Sequence, residues 1–318
     1  METNIILSEV LFLGILVLAG VVGSASGILG EAARDVLAKI VFNITLPLLL
    51  LTTFSGMDVT PAVLYNSMAM VLLTLAVMSL MLLAGWAGAA LLRLKRREAA
   101  VFMTHALFGN IVFLGFPVIY ALYGEEGLLY AGMLQLVSNM LLWSVGVVLL
   151  GSGNGSSLRS SLLKVFNINT YAIIAGLLLF VTGIELPAVI MEPMSGLGGT
   201  NIYLSMLYMG SMMYHSSIRG MIGKPVVYFL SLQRLIVVPF ILLFIFYLVV
   251  NVAGLDVDRM VIAVLILQSS MPCMANIVIL ARIYGADDQL ATANVFVSTL
   301  LSLGTLPLIL YLIGLVFP

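Results

Sequence analysis

The stretch 109-GNIVFLGFPVIYALYG-124 decides the fold, because it combines strongly apolar residues with residues that weaken a helix. Gly109, Gly115 and Pro117 disfavour a continuous helix, and Asn110 places an amide inside the apolar run. The run is therefore predicted to be a membrane helix that is interrupted in its middle. Its freed backbone groups must then face protein or a cavity, because lipid offers them no hydrogen-bond partner.

The composition of the whole chain places it in a bilayer. Of its 318 residues, 62% are hydrophobic and 8% are charged, whereas about 25% of a soluble domain is charged. A helix needs roughly 20 mainly apolar residues to cross about 30 Å of hydrocarbon. Runs of this kind predict ten transmembrane helices: Ile5–Val22, Ala33–Phe54, Ala62–Leu92, Ala99–Leu122, Gly127–Leu150, Val165–Ile184, Thr200–Met221, Pro225–Val252, Met260–Tyr284 and Leu290–Phe317.

The basic residues predict the orientation of these runs. With the N-terminus outside, eleven of the thirteen Lys and Arg residues fall on the cytoplasmic side, as the positive-inside rule requires. Arg259 falls outside, and Arg234 lies within the eighth run, from which it is expected to snorkel to the inner surface. Both termini are therefore predicted to be extracytoplasmic, in a multi-pass protein of the cell (inner or plasma) membrane. A cleaved signal peptide is the alternative for the first run, but Glu2 stands where a positive segment is expected.

A glycine- and serine-rich segment, 151-GSGNGSS-157, separates five runs from five. Because five is odd, the second half is inverted relative to the first, as in many secondary transporters. Residues 1–150 are predicted to form the first five-helix repeat, 151–164 a short cytoplasmic linker and 165–318 the second, inverted repeat. The predicted fold is an all-α integral membrane protein of ten transmembrane helices in two inverted repeats.

Breaks are predicted at corresponding places in the two halves. The ninth run contains 268-QSSMPCMAN-276, so spans four and nine each carry a proline and an amide. Each span is expected to split at its proline, Pro117 or Pro272, and the split helices are expected to cross near the middle of the bilayer. Pro47, Pro239 and Pro307 are expected only to kink their helices.

An interrupted helix exposes unpaired N–H groups where its second piece begins and unpaired carbonyls where its first piece ends. Two N-terminal ends that face one cavity favour an anion. The carbonyl ends could instead bind a cation, so a cation remains an alternative. The predicted substrate-binding residues are those in the breaks and one nearby amide: Asn110, Gly115, Pro117, Gln268, Pro272, Asn276 and Asn43. Supporting residues are predicted on polar helix stripes, for which helix packing is the alternative: Gln135, Ser138, Asn139, Tyr208, Ser211, His215, Asn294, Ser298 and Ser302.

The same composition argues against an enzyme. Two histidines, one cysteine and no central pair of carboxylates provide neither a catalytic residue set nor a metal site, and no cofactor is expected. The expected partners are a small organic anion and the lipid bilayer, with no nucleic acid; a homodimer is left open. The acids lie near the ends of the runs, so proton symport, passive transport and anion exchange remain open.

Three segments together resemble the auxin efflux carrier family: 42-FNITLPLLLLTTF-54, 109-GNIVFLGFPVIYALYG-124 and 268-QSSMPCMANIVILARIYGADDQLATANVFVSTLLSLGTLP-307. The resemblance covers nearly the whole chain, and the third segment is its most specific part. It implies two inverted five-span repeats, broken helices that cross at Pro117 and Pro272 with Asn110 nearby, and transport of organic anions.

Two departures from the family pattern narrow the expected substrate. The short segment 151–164 resembles compact microbial members, which include malonate and malate carriers, and the third run, Ala62–Leu92, lacks the acid–lysine pair of plant members. A dicarboxylate is therefore expected rather than auxin. The predicted function is a secondary transporter that works by alternating access; the alternatives are a sodium-coupled carrier of the bile-acid type and an anion channel.

Overall fold

The computed structural model describes residues 3–55, 60–151, 166–184, 186–215, 223–251 and 257–317, with side chains from residue 12 onward. Within these ranges the chain is helical and forms no strand, and one isolated antiparallel bridge joins Gly109 to Cys273. The helices are α1 Thr3–Ala25, α2 Glu31–Ser55, α3 Pro61–Leu91, α4 Arg96–Leu107, α5 111–123, α6 125–151, α7 Ile168–Thr182, α8 Ala188–Gly199, α9 Asn201–His215, α10 Pro225–Asn251, α11 Arg259–Ser269, α12 Asn276–Tyr284 and α13 Asp288–Val316.

Five helical stretches of the described chain are long and apolar enough to cross a membrane: Glu31–Ser55, Pro61–Leu91, Ile111–Gly151, Pro225–Asn251 and Asp288–Val316. The third of these comprises α5 and α6. Large apolar side chains point outward from them, such as Leu83 and Trp86 of α3 and Phe244 of α10, each more than half exposed. A surface of this kind is suited to lipid rather than to water.

Short polar side chains start several of the helices. Asn167 caps α7, since its Oδ1 accepts hydrogen bonds from the N–H groups of Asn169 and Thr170 at 3.0 and 3.2 Å. Asp258 caps α11 and Asp287 caps α13 in the same way. Each cap satisfies backbone donors that a helix leaves unpaired at its N-terminus. Asn167 and Asn169, near the start of the sixth predicted run, therefore mark the start of α7.

Three prolines lie in helices that widen before them. Turns of π-helix at 41–45, 111–115 and 233–237 each end two residues before a proline: Pro47, Pro117 and Pro239. A proline has no N–H and its ring collides with the carbonyl four residues earlier, and a wider turn relieves both problems without ending the helix. The expectation that Pro117 splits its helix is therefore wrong, because a π turn accommodates it within α5.

A second difference from the sequence prediction concerns the seventh run. Its helix was expected to begin at Thr200, but α8 precedes it and meets α9 at a single turn residue, Thr200. Residues 188–199 were not included in any predicted run. Gly198 allows close packing, since a Cβ there would lie 2.7 Å from the backbone nitrogen of Leu49. The end of this run at 216–221, and the predicted linker beyond Gly151, lie outside the described residues.

The first helix of each half packs on the second span of the other half. α1 lies along α9, and α7 lies along α2. Both contacts use glycines: a Cβ at Gly20 or Gly210 would overlap the backbone across the α1–α9 contact, and one at Gly176 would press on Phe54 of α2. Small residues let membrane helices approach closely. Both pairs contact the stretch formed by α5 and α6.

Candidate functional site

Two interruptions of the helical chain lie against each other. The first spans residues 108–110, between α4 and α5, and the second spans 270–275, between α11 and α12. The N–H of Asn110 donates to the carbonyl of Pro272 at 2.7 Å, and the N–H of Met274 donates to the carbonyl of Phe108 at 3.3 Å. Two chain segments far apart in sequence thus satisfy each other's backbone groups, as an apolar environment requires.

Arg234 of α10 binds carbonyl groups at the C-terminal end of α4 and in the second interruption. Its Nε donates to the carbonyl of Met271 at 2.6 Å, and its Nη1 donates to the carbonyls of His105 and Ala106 at 2.8 Å each. The side chain is 2% exposed. The guanidinium therefore places a positive charge at the C-terminal end of α4 and just beyond α11, where the helix dipoles are negative. The expectation that Arg234 snorkels to the membrane surface is wrong.

We call the two interruptions, residues 108–110 and 270–275, the paired segments. Gly109 and Ser298 make further contacts that hold them in place. A Cβ at Gly109 would overlap Nη2 of Arg234, so only glycine fits beside the guanidinium. The N–H of Cys273, opposite Gly109, donates to Oγ of Ser298 in α13 at 3.0 Å. The second interruption is thereby attached to α13 as well as to the first interruption and Arg234.

His105 and Asn294 form a further link to the second interruption. Nε2 of His105 lies 3.3 Å from the carbonyl oxygen of Met274, and its Nδ1 lies 3.3 Å from Nδ2 of Asn294. Because an amide nitrogen only donates, Nδ1 accepts and Nε2 carries the proton, which is the neutral form of the ring. Asn294, predicted as a supporting residue, thus orients His105 and does not line the cavity described next.

A small cavity opens where α5 and α12 begin, and we call it the break cavity. It has a volume of about 320 Å³ including its mouth, and its lining consists of Gly109, Asn110, Ile111, Val112, Phe113, Gln135, Ser138, Met274, Ala275 and Asn276. Four of the polar residues predicted from sequence therefore meet here: Asn110, Asn276, Gln135 and Ser138. The remaining wall consists of the first turn of α5 and of residues from the two interruptions.

In the part of the chain that the structure describes, the amide oxygen of Asn110 makes a hydrogen bond and the amide nitrogen does not. Its Oδ1 accepts from the N–H of Phe113 at 3.3 Å and so caps α5, whereas its Nδ2 is buried and has no hydrogen-bond partner among the described residues. An unsatisfied buried donor costs about 1–3 kcal/mol. Asn276 is the first residue of α12 and is half-buried at the same cavity. The cavity wall thus offers one buried donor, Nδ2 of Asn110, that no acceptor among the described residues uses.

The other residues predicted in the breaks surround the paired segments. Pro272 contributes its carbonyl to the pairing, while Pro117 lies further along α5 and is not part of the cavity lining. Gly115 lies against Gln268 of α11, since a Cβ there would overlap the amide of Gln268. Gln268 lines a second cavity, which we call the arginine cavity, together with Thr74, Gly109, Arg234 and Ser269.

Gln135 also lines a third cavity, between α2, α6 and α7. This cavity contains Asn139, Asn167, Asn169 and Thr170, and Nδ2 of Asn139 donates to Oγ1 of Thr170 at 3.0 Å. Val112 is likewise shared with the break cavity. Gln135 and Val112 therefore lie between the break cavity and the third cavity.

Three predicted residues lie elsewhere. Asn43 is exposed, and its amide donates to the carbonyl of Lys39 in its own helix at 3.1 Å. Ser211 accepts a hydrogen bond from Ser24 at 2.8 Å and so joins α9 to α1, and His215 contacts the carbonyl of Ser211 at 3.0 Å. Ser211 and His215 therefore make contacts of the helix-packing kind, and Asn43 makes a hydrogen bond within its own helix. Tyr208 contributes indirectly, since its ring lies 4.6 Å from that of Phe113.

Comparison with known families identifies the chain. The model of the membrane transport protein family, which contains the auxin-efflux-carrier-like proteins, matches it twice, over residues 5–162 and 156–310. The chain belongs to this family. The resemblance to auxin efflux carriers is thereby confirmed, and the two matches each cover about half of the chain.

Two archaeal relatives agree with this family. An uncharacterised transporter of Methanocaldococcus jannaschii is 26% identical over 300 residues, which cover 92% of this chain and 94% of the relative. An uncharacterised transporter of Methanothermobacter thermautotrophicus is 28% identical over 298 residues, with the same two coverages. With its several long apolar helices, this member of the membrane transport protein family is a multi-pass membrane protein.

Arg234 is the functional residue that the sequence analysis missed. It is the tenth residue of a predicted membrane run of 28 residues, Pro225–Val252, and apolar residues follow it directly. A charge inside a membrane segment is expensive and is by default a sign of function. Its position within the run, rather than its distance from other charges, was the signal that could have identified it.

Proposed function

We propose that this member of the membrane transport protein family is a secondary transporter of a small organic anion, and that the break cavity is its substrate site. The observation that carries the proposal is the binding of Arg234 to two carbonyls at the C-terminal end of α4 and to one carbonyl just beyond α11. Those carbonyl ends are therefore neutralised, while the N-terminal ends of α5 and α12 face the break cavity. The local field favours a negative group.

The same bonds argue against a cation at this place. Sodium is coordinated by oxygen atoms, and half-helix carbonyl ends are a usual source of them. Here the carbonyls of His105, Ala106 and Met271 bind Arg234, and those of Phe108 and Pro272 accept backbone N–H groups. A sodium-coupled carrier of the bile-acid type is therefore the weaker alternative.

The chemistry of the lining indicates a carboxylate. Nδ2 of Asn110 is a free donor, and the amides of Asn276 and Gln135 and the hydroxyl of Ser138 surround the same space. A carboxylate accepts several hydrogen bonds at once, and each bond to a charged group contributes about 1.5–3 kcal/mol. The microbial members that the chain resembles make a dicarboxylate the expected substrate.

We further propose ten membrane crossings, in which α4 with α5, α8 with α9, and α11 with α12 each form one span. Two inverted five-span repeats, residues 1–150 and 165–318, are supported by the two family matches and by the reciprocal packing of α1 on α9 and of α7 on α2. In this arrangement the broken spans cross at the paired segments, and one unit rocks against the other around them during alternating access. Both termini are then extracytoplasmic.

Uptake and counter-flow of radiolabelled mono- and dicarboxylates in proteoliposomes test the proposal. We expect saturable uptake of at least one carboxylate, acceleration by the same anion inside, and no change when sodium is replaced by potassium. Conductance far above carrier turnover would identify a channel instead, and uptake that requires sodium would favour the bile-acid type. That the protein is not an enzyme and binds no nucleic acid stays a prediction, and a homodimer stays open.

Asn110 provides the sharpest variants for this assay. Asn110→Asp keeps an oxygen to cap α5 but replaces the free donor with a negative charge, so we expect uptake to be lost while the unfolding temperature changes little. Asn110→Ala removes both groups, and uptake should fall by roughly tenfold or more, because a hydrogen bond to a charged group contributes about 1.5–3 kcal/mol. Asn43→Ala, an exposed amide outside the cavity, is the matched control. Unchanged uptake kinetics in Asn110→Asp would remove the break cavity from consideration.

A further inference from the structure

The arginine cavity is a second polar space beside the paired segments. It is bordered by α3, α10 and α11, and it shares Gly109 and Ile111 with the break cavity. Its volume is about 270 Å³ including its mouth. Most of its wall is apolar, and the polar groups are Thr74, Arg234, Gln268 and Ser269. None of these four side chains lines the break cavity.

Arg234 lacks a counter-charge in the part of the chain that the structure describes. Ion pairs among the described residues join Arg34 to Asp35 and Arg282 to Asp288, and neither involves Arg234. The three carbonyls around Arg234 supply dipoles but no negative charge, and its Nη2 has no acceptor among the described residues. A buried charge without a partner costs several kcal/mol, so an ion from solution is favoured as its partner.

Gln268 adds a second unused donor to the same cavity. The residue is 2% exposed, and neither Nε2 nor Oε1 of its amide has a hydrogen-bond partner among the described residues. The nearby hydroxyls are already engaged, since Thr74 donates to the carbonyl of Met70 at 2.6 Å and Ser269 donates to that of Leu265 at 2.7 Å. The free hydrogen-bond donors at this cavity are therefore a guanidinium and an amide.

We propose that the arginine cavity is a second anion site, which holds a halide-sized inorganic anion between Arg234 and Gln268. The positive charge, the two free donors and the mainly apolar wall fit a small, weakly hydrated anion better than a multiply charged one. The bound anion acts as the counter-ion of Arg234 and stabilises the paired segments that Arg234 holds. This site is independent of the organic anion proposed for the break cavity.

Bromide provides a direct probe of this site. Crystals of the full-length protein grown without any organic anion are soaked in bromide, and its anomalous signal is located. We expect a peak within hydrogen-bond distance of Nη2 of Arg234 and Nε2 of Gln268. The absence of a peak there at saturating bromide would overturn the proposal.

Thermal unfolding in detergent tests the same site in solution. Sodium bromide or chloride replaces sodium methanesulfonate at constant ionic strength, and we expect a saturable rise in the unfolding temperature. In Gln268→Glu the carboxylate supplies a built-in counter-ion, so the variant should be at least as stable as the parent protein and should no longer respond to halide. Gln268→Met should lose the response without gaining stability.

Gln233→Glu and Gln233→Met are the matched controls. Gln233 is a buried amide next to Arg234 in sequence, its Oε1 also lacks a partner among the described residues, and it does not line the arginine cavity. These controls should keep the halide response of the parent protein. Equal responses in the Gln233 and Gln268 variants would show a general salt effect and overturn the proposal. Carboxylate uptake does not enter this readout, so failure of the proposed transport function would leave the outcome interpretable.

Discussion

Arg234 shows how one side chain can hold two distant chain segments together. Its planar guanidinium binds carbonyls of α4 and of the second interruption at once, with distances of 2.6–2.8 Å. Gly109 leaves the space that this geometry needs. The positive charge and the fork shape have separate effects: the charge sets the sign of the local field, and the shape satisfies three carbonyls in an apolar environment.

Arg234→Lys separates the two effects. A lysine ammonium keeps the charge but cannot reproduce the fork, so at least one buried carbonyl loses its donor. We expect the free energy of unfolding to fall by about 2–4 kcal/mol, since each unsatisfied buried group costs about 1–3 kcal/mol. Thermal unfolding of the purified protein measures this, with Arg97→Lys, an exposed arginine in the first turn of α4, as the control. An unchanged unfolding temperature in Arg234→Lys would contradict the proposed role of the fork.

At the scale of helices, similar junctions follow the two interrupted spans. α5 ends at Tyr123 and α12 ends at Tyr284, and each tyrosine is followed by a glycine with positive φ: 62° at Gly124 and 74° at Gly285. Acidic residues then start the next helix, α6 or α13. L-residues with a Cβ are strained at such φ values, so glycine is required at both junctions. Each interrupted span is therefore followed by a Tyr-Gly pair whose glycine has a positive φ.

Alanine substitutions at these glycines should distinguish the two backbone conformations. Gly124, with ψ −150°, lies in a region that is essentially restricted to glycine, whereas Gly285, with ψ 21°, lies near the left-handed helical region. We expect Gly124→Ala to cost about 1–3 kcal/mol and Gly285→Ala about 1 kcal/mol of stability.

Gly314 provides the control for this comparison. It lies inside α13 with open space where a Cβ would be, and Gly314→Ala should be neutral or stabilise the protein by about 0.5–1 kcal/mol. The unfolding temperatures of the three variants give their order of stability. Equal stability of Gly124→Ala and Gly314→Ala would contradict the described backbone at Gly124.

At the scale of the whole molecule, the junctions at Gly124 and Gly285 are expected on opposite sides of the membrane. Inverted repeats relate them by an axis in the membrane plane, and the distribution of basic residues places the first outside and the second inside. The two family matches and the reciprocal packing of α1 and α7 support this inversion. Parallel repeats would place both junctions on one side.

Cysteine labelling tests the inversion. Cys273 is buried and is replaced by serine, and a cysteine is then introduced at Glu125 or at Gln289, which are both exposed. A membrane-impermeant maleimide should label Glu125→Cys in intact cells and Gln289→Cys only after permeabilisation. A cysteine at Arg97, expected inside, serves as the reference for the cytoplasmic side. Labelling of both test positions from outside would exclude inverted halves.

The sequence by itself was enough to predict that the protein lies in a membrane, that it is helical and which family it belongs to. These properties follow from local composition, the length of apolar runs and short motifs. It also identified Asn110, Asn276, Gln135 and Ser138, since an amide or hydroxyl inside an apolar run stands out without knowledge of its neighbours. Pro117 was misread as the point of interruption, because whether a proline ends a helix or is absorbed by a π turn depends on what the adjacent turn packs against.

Only the tertiary structure decided which of the polar residues meet. Helical periodicity gives the face on which a side chain lies but not the helix that faces it, so Asn43, Ser211 and His215 could not be separated from the residues of the break cavity. Arg234 is bonded to groups 37, 128 and 129 positions away in sequence. Contacts of that range arise from the packing of whole helices, and the sign of the field at the break cavity follows from them.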